Sequence, residues 1–393
     1  MTKPIGEETI QDGNQQVVEP VQYISDEANK KLEPGTALCL SGGGYRAMLF
    51  HVGVLWRLNE FGLLPKLKRI SSVSGGSITS GVLAMNWHKL GFENDVARHF
   101  EKEVVAPIKK LASRTVDASS VITGALWTGS IGDKVADAYR DYLFGDTTLQ
   151  DISDEPRFVF NATNVQSGVL WRFSKPYMSD YRVGEIKHPK IELAVAVAAS
   201  SAFPPVLSPV ELDLEPEDFT PGSGGDLTDE IYRTQVVLTD GGVYDNLGLE
   251  TAWKRYETIL VSDAGGAFAP EAEPKKDWVR HSVRVLFLID NQVRSLRRKQ
   301  LAESYKAKIR KGAFWSIGHN LKEKFDVKDA LNCSFEMTNA LAKIPTRLKK
   351  LDQATQERLI NWGYAVCDAS TRKYFDEKLP PPVNFPYPAV GVG

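Results

Sequence analysis

Residues 38–50 read LCLSGGGYRAMLF, and residues 69–81 read RISSVSGGSITSG. Each is an apolar run that breaks at glycine or serine and resumes as a helix-like stretch. Two strand–turn–helix units in succession, joined by short Gly/Ser turns, are the pattern of a parallel α/β sheet. The spacing predicts strands at Thr36 to Leu40 and Leu67 to Val73, and helices at Tyr45 to Leu63 and roughly Ser77 to Leu90. The first half of the first helix is apolar nearly all round, which predicts burial.

Outward from these units the alternation lapses over residues 91–155, which read as a helical insertion, and then resumes. Residues 156–174 read as two strands and a turn, and 191–212 as a helix stopped by Pro204 and Pro205, then a strand. Residues 213–230 are an acidic Gly/Pro loop. Residues 234–250 read as a strand, a glycine turn and a helix start, and 258–266 as a strand with an acidic end. The remainder reads as mainly helical, with an amphipathic segment from Asp352 to about Lys373. The predicted organisation is a polar lead-in over 1–33, one large α/β domain over 34–375 and a C-terminal tail over 376–393.

The composition, 42% apolar and 25% charged in 393 residues, is that of a globular protein with a large core. With 48 basic against 50 acidic side chains the net charge is −2. Bulk charge therefore recruits neither nucleic acid nor an anionic membrane, and no nucleic-acid partner is expected. Cys39, Cys333 and Cys367 are too far apart for metal spacing, and a reducing compartment is the simplest reading. The polar, acidic N-terminus lacks the apolar core of a secretory signal, and no window approaches a membrane span. The expectation is a cytoplasmic protein.

Ser74 sits between a strand and a helix, with Ser72 and Gly76 two residues to either side. A nucleophile on such a sharp turn needs small neighbours at those positions, normally in the order G-x-S-x-G. Ser72 departs from that order. Ser77 competes, but its neighbours Gly75 and Thr79 fit less well. The glycines of SGGGYR leave backbone N–H groups at a helix N-terminus, which suits either an oxyanion hole or a dinucleotide. Gly42, Gly44 and Ala47 satisfy G-x-G-x-x-A, yet the next strand ends without the acidic residue that a dinucleotide site requires, which disfavours that alternative.

A serine nucleophile needs a base. None of the six histidines lies in a glycine-flanked turn after a strand, and His51 reads as a packed core residue. Asp240 closes the apolar strand QVVLT and precedes Gly241 and Gly242, which puts a carboxylate where active sites of such sheets gather. A buried carboxylate beside a serine can take its proton directly. Asp263, in VSDAGG, is the competing candidate.

Four blocks in order, SGGGYR, SVSGGS, AASSAFPP and DGGVYDNLG, resemble those of the patatin-like phospholipases, which are similar to the catalytic domain of cytosolic phospholipase A2. The resemblance implies a three-layer α/β/α fold with helical insertions. It implies a Ser–Asp dyad of Ser74 and Asp240 in place of a triad. It implies an oxyanion hole in the Gly42–Gly43–Gly44 loop, its donors the amides of Gly43 and Gly44, with Arg46 supporting the loop. The activity implied is hydrolysis of a phospholipid or other acyl lipid without a metal or cofactor. Ser200 and Ser201 would serve packing in a wall of the site.

A lipid substrate implies transient contact with a membrane surface. The basic segment 294–311, followed by Phe314 and Trp315, reads either as a solvated helix face with buried aromatics or as a contact for an anionic bilayer, and 121–132 reads as a lid or as a helix end packed on the sheet. Three rivals stand beside this reading. A triad hydrolase would use His281 or His319, but too few strands precede Ser74 for that fold. An acyltransferase or neutral-lipid esterase would use the same dyad. A non-catalytic lipid or nucleotide binder would have no need of serine, aspartate and glycine loop together.

Overall fold

The computed structural model describes residues 32–116, 131–266 and 268–393. The strands are β1 (Glu33–Leu40), β2 (Leu67–Ser72), β3 (Phe92–Glu93), β4 (Val96–Ala97), β5 (Arg157–Asn164), β6 (Val169–Phe173), β7 (Tyr177–Asp180), β8 (Gly184–Lys187), β9 (Val210–Asp213), β10 (Gln235–Asp240), β11 (Tyr256–Asp263) and β12 (Lys311–Ser316). The helices that shape the site are α1 (Gly44–Glu60), α2 (Gly75–Asn86), α3 (Ala106–Ala112), α4 (Ile131–Tyr139), α5 (Leu193–Ser200), α6 (Trp278–Lys306) and α7 (Gln353–Tyr374).

Apart from the β3–β4 hairpin, the strands form one ten-stranded sheet in the order β12-β11-β1-β2-β5-β6-β7-β8, with β10 on β5 and β9 on β10. Neighbours from β12 to β5 are parallel. All other pairs in this sheet are antiparallel. The sheet is therefore mixed, where the glycine turns predicted a parallel one. The cause is loop length: the connections at 165–168, 174–176 and 181–183 are long enough for hairpins and far too short for a crossover.

Both faces of the parallel half are covered, as strand alternation requires. Leu38 and Leu40 of β1, with Leu260 and Trp315, join the larger core that includes α1, α2 and α7. Ala37 and Cys39, with Ile259 and Val261, face a second core closed by Leu247, Leu249, Ala252 and Leu301 of α6. The result is three layers, α/β/α. The predicted first helix is α1, buried along nearly its whole length. It lies backbone to backbone with α7, because a methyl group on Gly363 would overlap the Phe50 carbonyl oxygen.

The insertion consists of the β3–β4 hairpin, α3 and α4 among its described residues, and the predicted lid at 121–132 lies outside them except for Ile131 and Gly132. The lead-in lies outside them up to Lys31. The 376–393 segment is strapped to the domain: the Asn361 side chain donates to the carbonyls of Tyr387 (2.8 Å) and Gly391 (2.6 Å). Among the described residues five strands escaped the sequence pattern: β3 and β4 within the insertion, β7 and β8 after the two strands read over 156–174, and β12. Residues 311–316 are β12 at the sheet edge, with Trp315 fully buried and Phe314 packed on the second core, so of the two readings of these aromatics the buried one holds. Among the described residues no helix is long and apolar enough to cross a membrane.

Candidate active site

The turn between β2 and α2 is sharp because Ser74 takes φ 52° and ψ −121°. A side chain rarely adopts this region, at a cost of order 1–3 kcal/mol, unless the surroundings impose it. Here they do. The Ser74 amide donates to both the carbonyl and the Oγ of Ser200, each at 3.1 Å. A Cβ on Gly75 would overlap the Gly44 carbonyl, so only glycine lets the helix start against the glycine loop. Beneath the turn lies a buried hydroxyl network. Ser72 Oγ accepts from Ser77 (3.0 Å) and Ser80 (2.7 Å), Ser77 Oγ lies 2.8 Å from Ser200 Oγ, and Ser200 donates to the Asn161 carbonyl at 2.7 Å. The serine that departs from the usual elbow pattern thus anchors this network, and Ser77 is engaged in it.

Asp240 reaches the same point from the opposite direction. β2 pairs with β5 up to Ser72 opposite Phe160, and β10 pairs with it down to Asp240 opposite Ala162. β6 occupies the other edge of β5 across both positions. β2 and β10 therefore share one edge and meet head on, their carboxyl ends separated by the single residue Asn161. Asn161 fills the gap, donating to the Ser72 carbonyl at 2.8 Å and to Ser71 Oγ at 3.0 Å. A parallel β10 would have carried Asp240 away from Ser74.

The Asp240 carboxyl is buried. Its Oδ1 accepts from the Gly242 amide at 2.7 Å, while Oδ2 has no hydrogen-bond partner. Burial raises its pKa to about 7, opposed by the Gly242 amide and by the Ser74 hydroxyl, with Asp290 of α6 pushing in the same direction as burial. The hydroxyl is thus close enough to act on the carboxyl without being aligned on Oδ2, and the free oxygen is the one available for a proton.

The glycine loop lies against the serine: a Cβ on Gly42 would come within 3.1 Å of Ser74 Cβ. The Gly42 amide, grouped with the oxyanion donors on sequence grounds, is occupied; it donates to the carbonyl and Oδ1 of Asn246, both at 3.1 Å. The Gly43 and Gly44 amides, at the N-terminus of the 17-residue α1, donate to no backbone carbonyl among the described residues. They carry the partial positive charge that such an end presents to an anion. Arg46 is buried against the loop, where a Cβ on Gly43 would come within 2.8 Å of its Nη2. Its guanidinium donates to Ala264 O (3.2 and 3.1 Å), to Thr346 Oγ1 (3.1 Å) and to Ile344 O, so it ties the loop to two neighbouring segments.

A family model of the patatin-like phospholipases matches residues 38–253, more than half of the chain. The chain belongs to the patatin-like phospholipase family. A patatin-like phospholipase domain-containing protein of Aspergillus oryzae is 28% identical over 218 residues, which are 52% of this chain and 27% of that protein. Among solved structures, human GIVD cytosolic phospholipase A2 is similar over 58% of this chain and 43% of its own, at 12% identity and a TM-score of 0.40. VipD from Legionella pneumophila is similar over 86% of this chain and 66% of its own, at 16% identity and a TM-score of 0.33. The chain thus spans less than half of the fungal and human relatives.

The patatin-like interval holds Ser74, Asp240 and the glycine loop, while the side chains that brace them from outside it were not found from sequence. Arg46 reaches 344–346, and the Tyr45 amide donates to the Arg347 carbonyl at 3.0 Å. Asp290, which bears on Asp240, belongs to α6. No short-range pattern marks such partners. Asp263, the competing base, is buried but held by Arg298, and its Oδ1 accepts from the Gly265 amide at 2.9 Å; the arginines draw its pKa below the usual value. A carboxylate so paired is a poor proton acceptor. His51 is buried, bonded to Ser262 Oγ and Ser41 O at 2.9 Å each, and burial lowers its pKa to about 4. His281 is exposed on α6, and His319 packs between Phe314 and Phe325.

Proposed function

We propose that this chain is a lipid acyl hydrolase in which Ser74 is the nucleophile and Asp240 the base. The observation that carries the reading is the convergence of a strained serine and a buried carboxylate with an unpartnered oxygen, brought together by two strands that meet head on. Family membership supports a lipid ester as the substrate class.

In the first step Ser74 Oγ bonds to the ester carbonyl carbon as its proton passes to Asp240 Oδ2. The carbonyl oxygen becomes an oxyanion between the amides of Gly43 and Gly44. One such donor contributes roughly 3–4 kcal/mol of barrier lowering. The tetrahedral adduct then expels the alcohol, which takes the proton back from Asp240 and leaves an acyl-serine. Water attacks the acyl carbon, its proton again passing to Asp240, and loss of the fatty acid returns Ser74 to its protonated form. A carboxyl whose pKa is near neutrality suits both halves of this cycle.

The test is incubation with a serine-reactive fluorophosphonate and with mixed phospholipid vesicles, alongside Ser74→Ala and Asp240→Asn. The expected result is labelling at Ser74 and fatty-acid release, with both lost in Ser74→Ala and release reduced by at least about a thousandfold in Asp240→Asn. Undiminished release by Ser74→Ala would overturn the assignment.

A further inference from the structure

α6 has its apolar residues on the wrong side. Its inner face is tied to the sheet by Leu301, by Arg294 on the Gly266 carbonyl and by Arg298 on Asp263. Between residues 278 and 296 it carries Trp278, Val285, Ile289 and Leu296 at 80%, 41%, 52% and 65% exposure. Spacings of seven, four and seven residues place these four on one stripe of a helix, an apolar line about 27 Å long facing solvent. Leu286 and Leu288 widen it, at 51% and 46% exposure. A contiguous exposed apolar surface of this kind needs a partner.

We infer that the outer face of α6 from Trp278 to Leu296 is the surface by which the protein lies on an anionic lipid bilayer. The choice of a bilayer rests on the proposed lipid substrate and on two local observations. First, the charge fits. Lys275 and Lys276 are exposed at one end of the stripe and Lys299, 4.0 Å from Glu303, at the other; no carboxylate lies on the stripe itself, nearby Glu271 and Asp277 are held by Arg284 and Arg280, and Glu273 is exposed beside them. Second, the opposite side of this half-helix borders the site. Phe287 stacks on Phe203 of the AASSAFPP block, with ring centroids 5.6 Å apart, and Asp290 bears on Asp240. A bilayer under the stripe would therefore lie one helix diameter, about 10 Å, from that border of the site. The basic residues of 294–311 serve a different end from the bilayer contact their composition allowed: Arg294, Arg297, Arg298 and Arg310 hold Gly266, Asp245, Glu250, Asp263 and the Trp253 carbonyl.

The experiment uses the full chain with vesicles of equal parts phosphatidylglycerol and phosphatidylcholine, and of phosphatidylcholine alone. Co-sedimentation is compared for the wild type, a Val285→Asp/Ile289→Asp variant, and Val383→Asp as an exposed control off the helix. Expected is binding of the wild type and control to the anionic vesicles, weakened about tenfold or more in the double variant. Hydrolysis of a soluble short-chain ester is followed in parallel. Binding that depends on the stripe supports the inference even where the ester is not cleaved, an outcome that would instead refute the hydrolase reading. Ester cleavage without vesicle binding, or equal binding by the double variant, overturns the docking surface and leaves the hydrolase reading standing. A wild-type dimer that the double variant converts to monomer, with no vesicle binding, also overturns it and makes the stripe an interface between two copies.

Discussion

At the scale of single residues, the site rests on a carboxyl that is expensive to ionise. Asp240 has a folded pKa of about 7 against an ordinary value of 3.8, the main cause being burial. The native state therefore holds this proton more tightly than the unfolded chain, and the penalty grows as pH rises from the ordinary value through about 7. A rise from 3.8 to about 7 corresponds to roughly 4 kcal/mol at most. Asp240→Asn removes the penalty. The variant should be inactive yet melt higher than the wild type at about pH 8, and the gap should narrow as pH falls toward 4. A variant no more stable at pH 8 would contradict the buried, near-neutral carboxyl. In the wild type the same ionisation should appear as an acid limb in kcat/KM centred near 7. Asp240 was legible in the sequence because a carboxylate followed by two glycines at a strand end is unusual. Its raised pKa was expected only in kind, since Oδ2 and Asp290 are set by tertiary packing.

At the scale of elements, β1, α1, β2 and α2 were legible because apolar runs and Gly/Ser turns mark them locally. Strand direction was not, since QVVLT reads the same whether β10 runs parallel or antiparallel. The missed β12 shows the same limit: Phe314 and Trp315 beside a basic run suit a membrane contact or a buried position alike, and only pairing with β11 makes them core. Glycines in helices are ambiguous in the same way. Gly363 lies within α7, where alanine would add about 1 kcal/mol of helix stability. Because its Cβ would overlap the Phe50 carbonyl, Gly363→Ala must push α7 off α1. Overpacking of this kind costs about 1–3 kcal/mol, and more where backbone is the obstacle, so the clash outweighs the propensity. The substitution should lower the free energy of unfolding by a net of about 2 kcal/mol, seen as a lower denaturant midpoint. An unchanged or raised midpoint would mean that the two helices are not in backbone contact.

At the scale of the whole molecule, the question is how a helix with an exposed apolar face stays fixed beside the site. Its second half is held by ion pairs to the segment after β10 and to β11: Arg297 with Asp245 (3.5 Å) and Glu250 (3.1 Å), and Arg298 with Asp263 at the end of β11. Asp263 is fully buried, so the pair with Arg298 is strongly desolvated. Such a pair adds little over an apolar isostere, but removing one partner strands a buried charge at a cost of about 3 kcal/mol. Arg298→Ala should therefore destabilise the protein by that amount at about pH 7. Asp263 is held below its ordinary pKa, so its contribution is present above that value and lost as pH falls through the depressed one. The deficit of Arg298→Ala should shrink accordingly at about pH 3. Adding Asp263→Asn removes the stranded charge and should recover most of the stability at pH 7, although α6 remains untethered at that point. Vesicle hydrolysis should then stay low in the double variant while its melting temperature recovers. Full recovery of both would show that the clamp serves the fold alone, and that the position of α6 over the site does not depend on it.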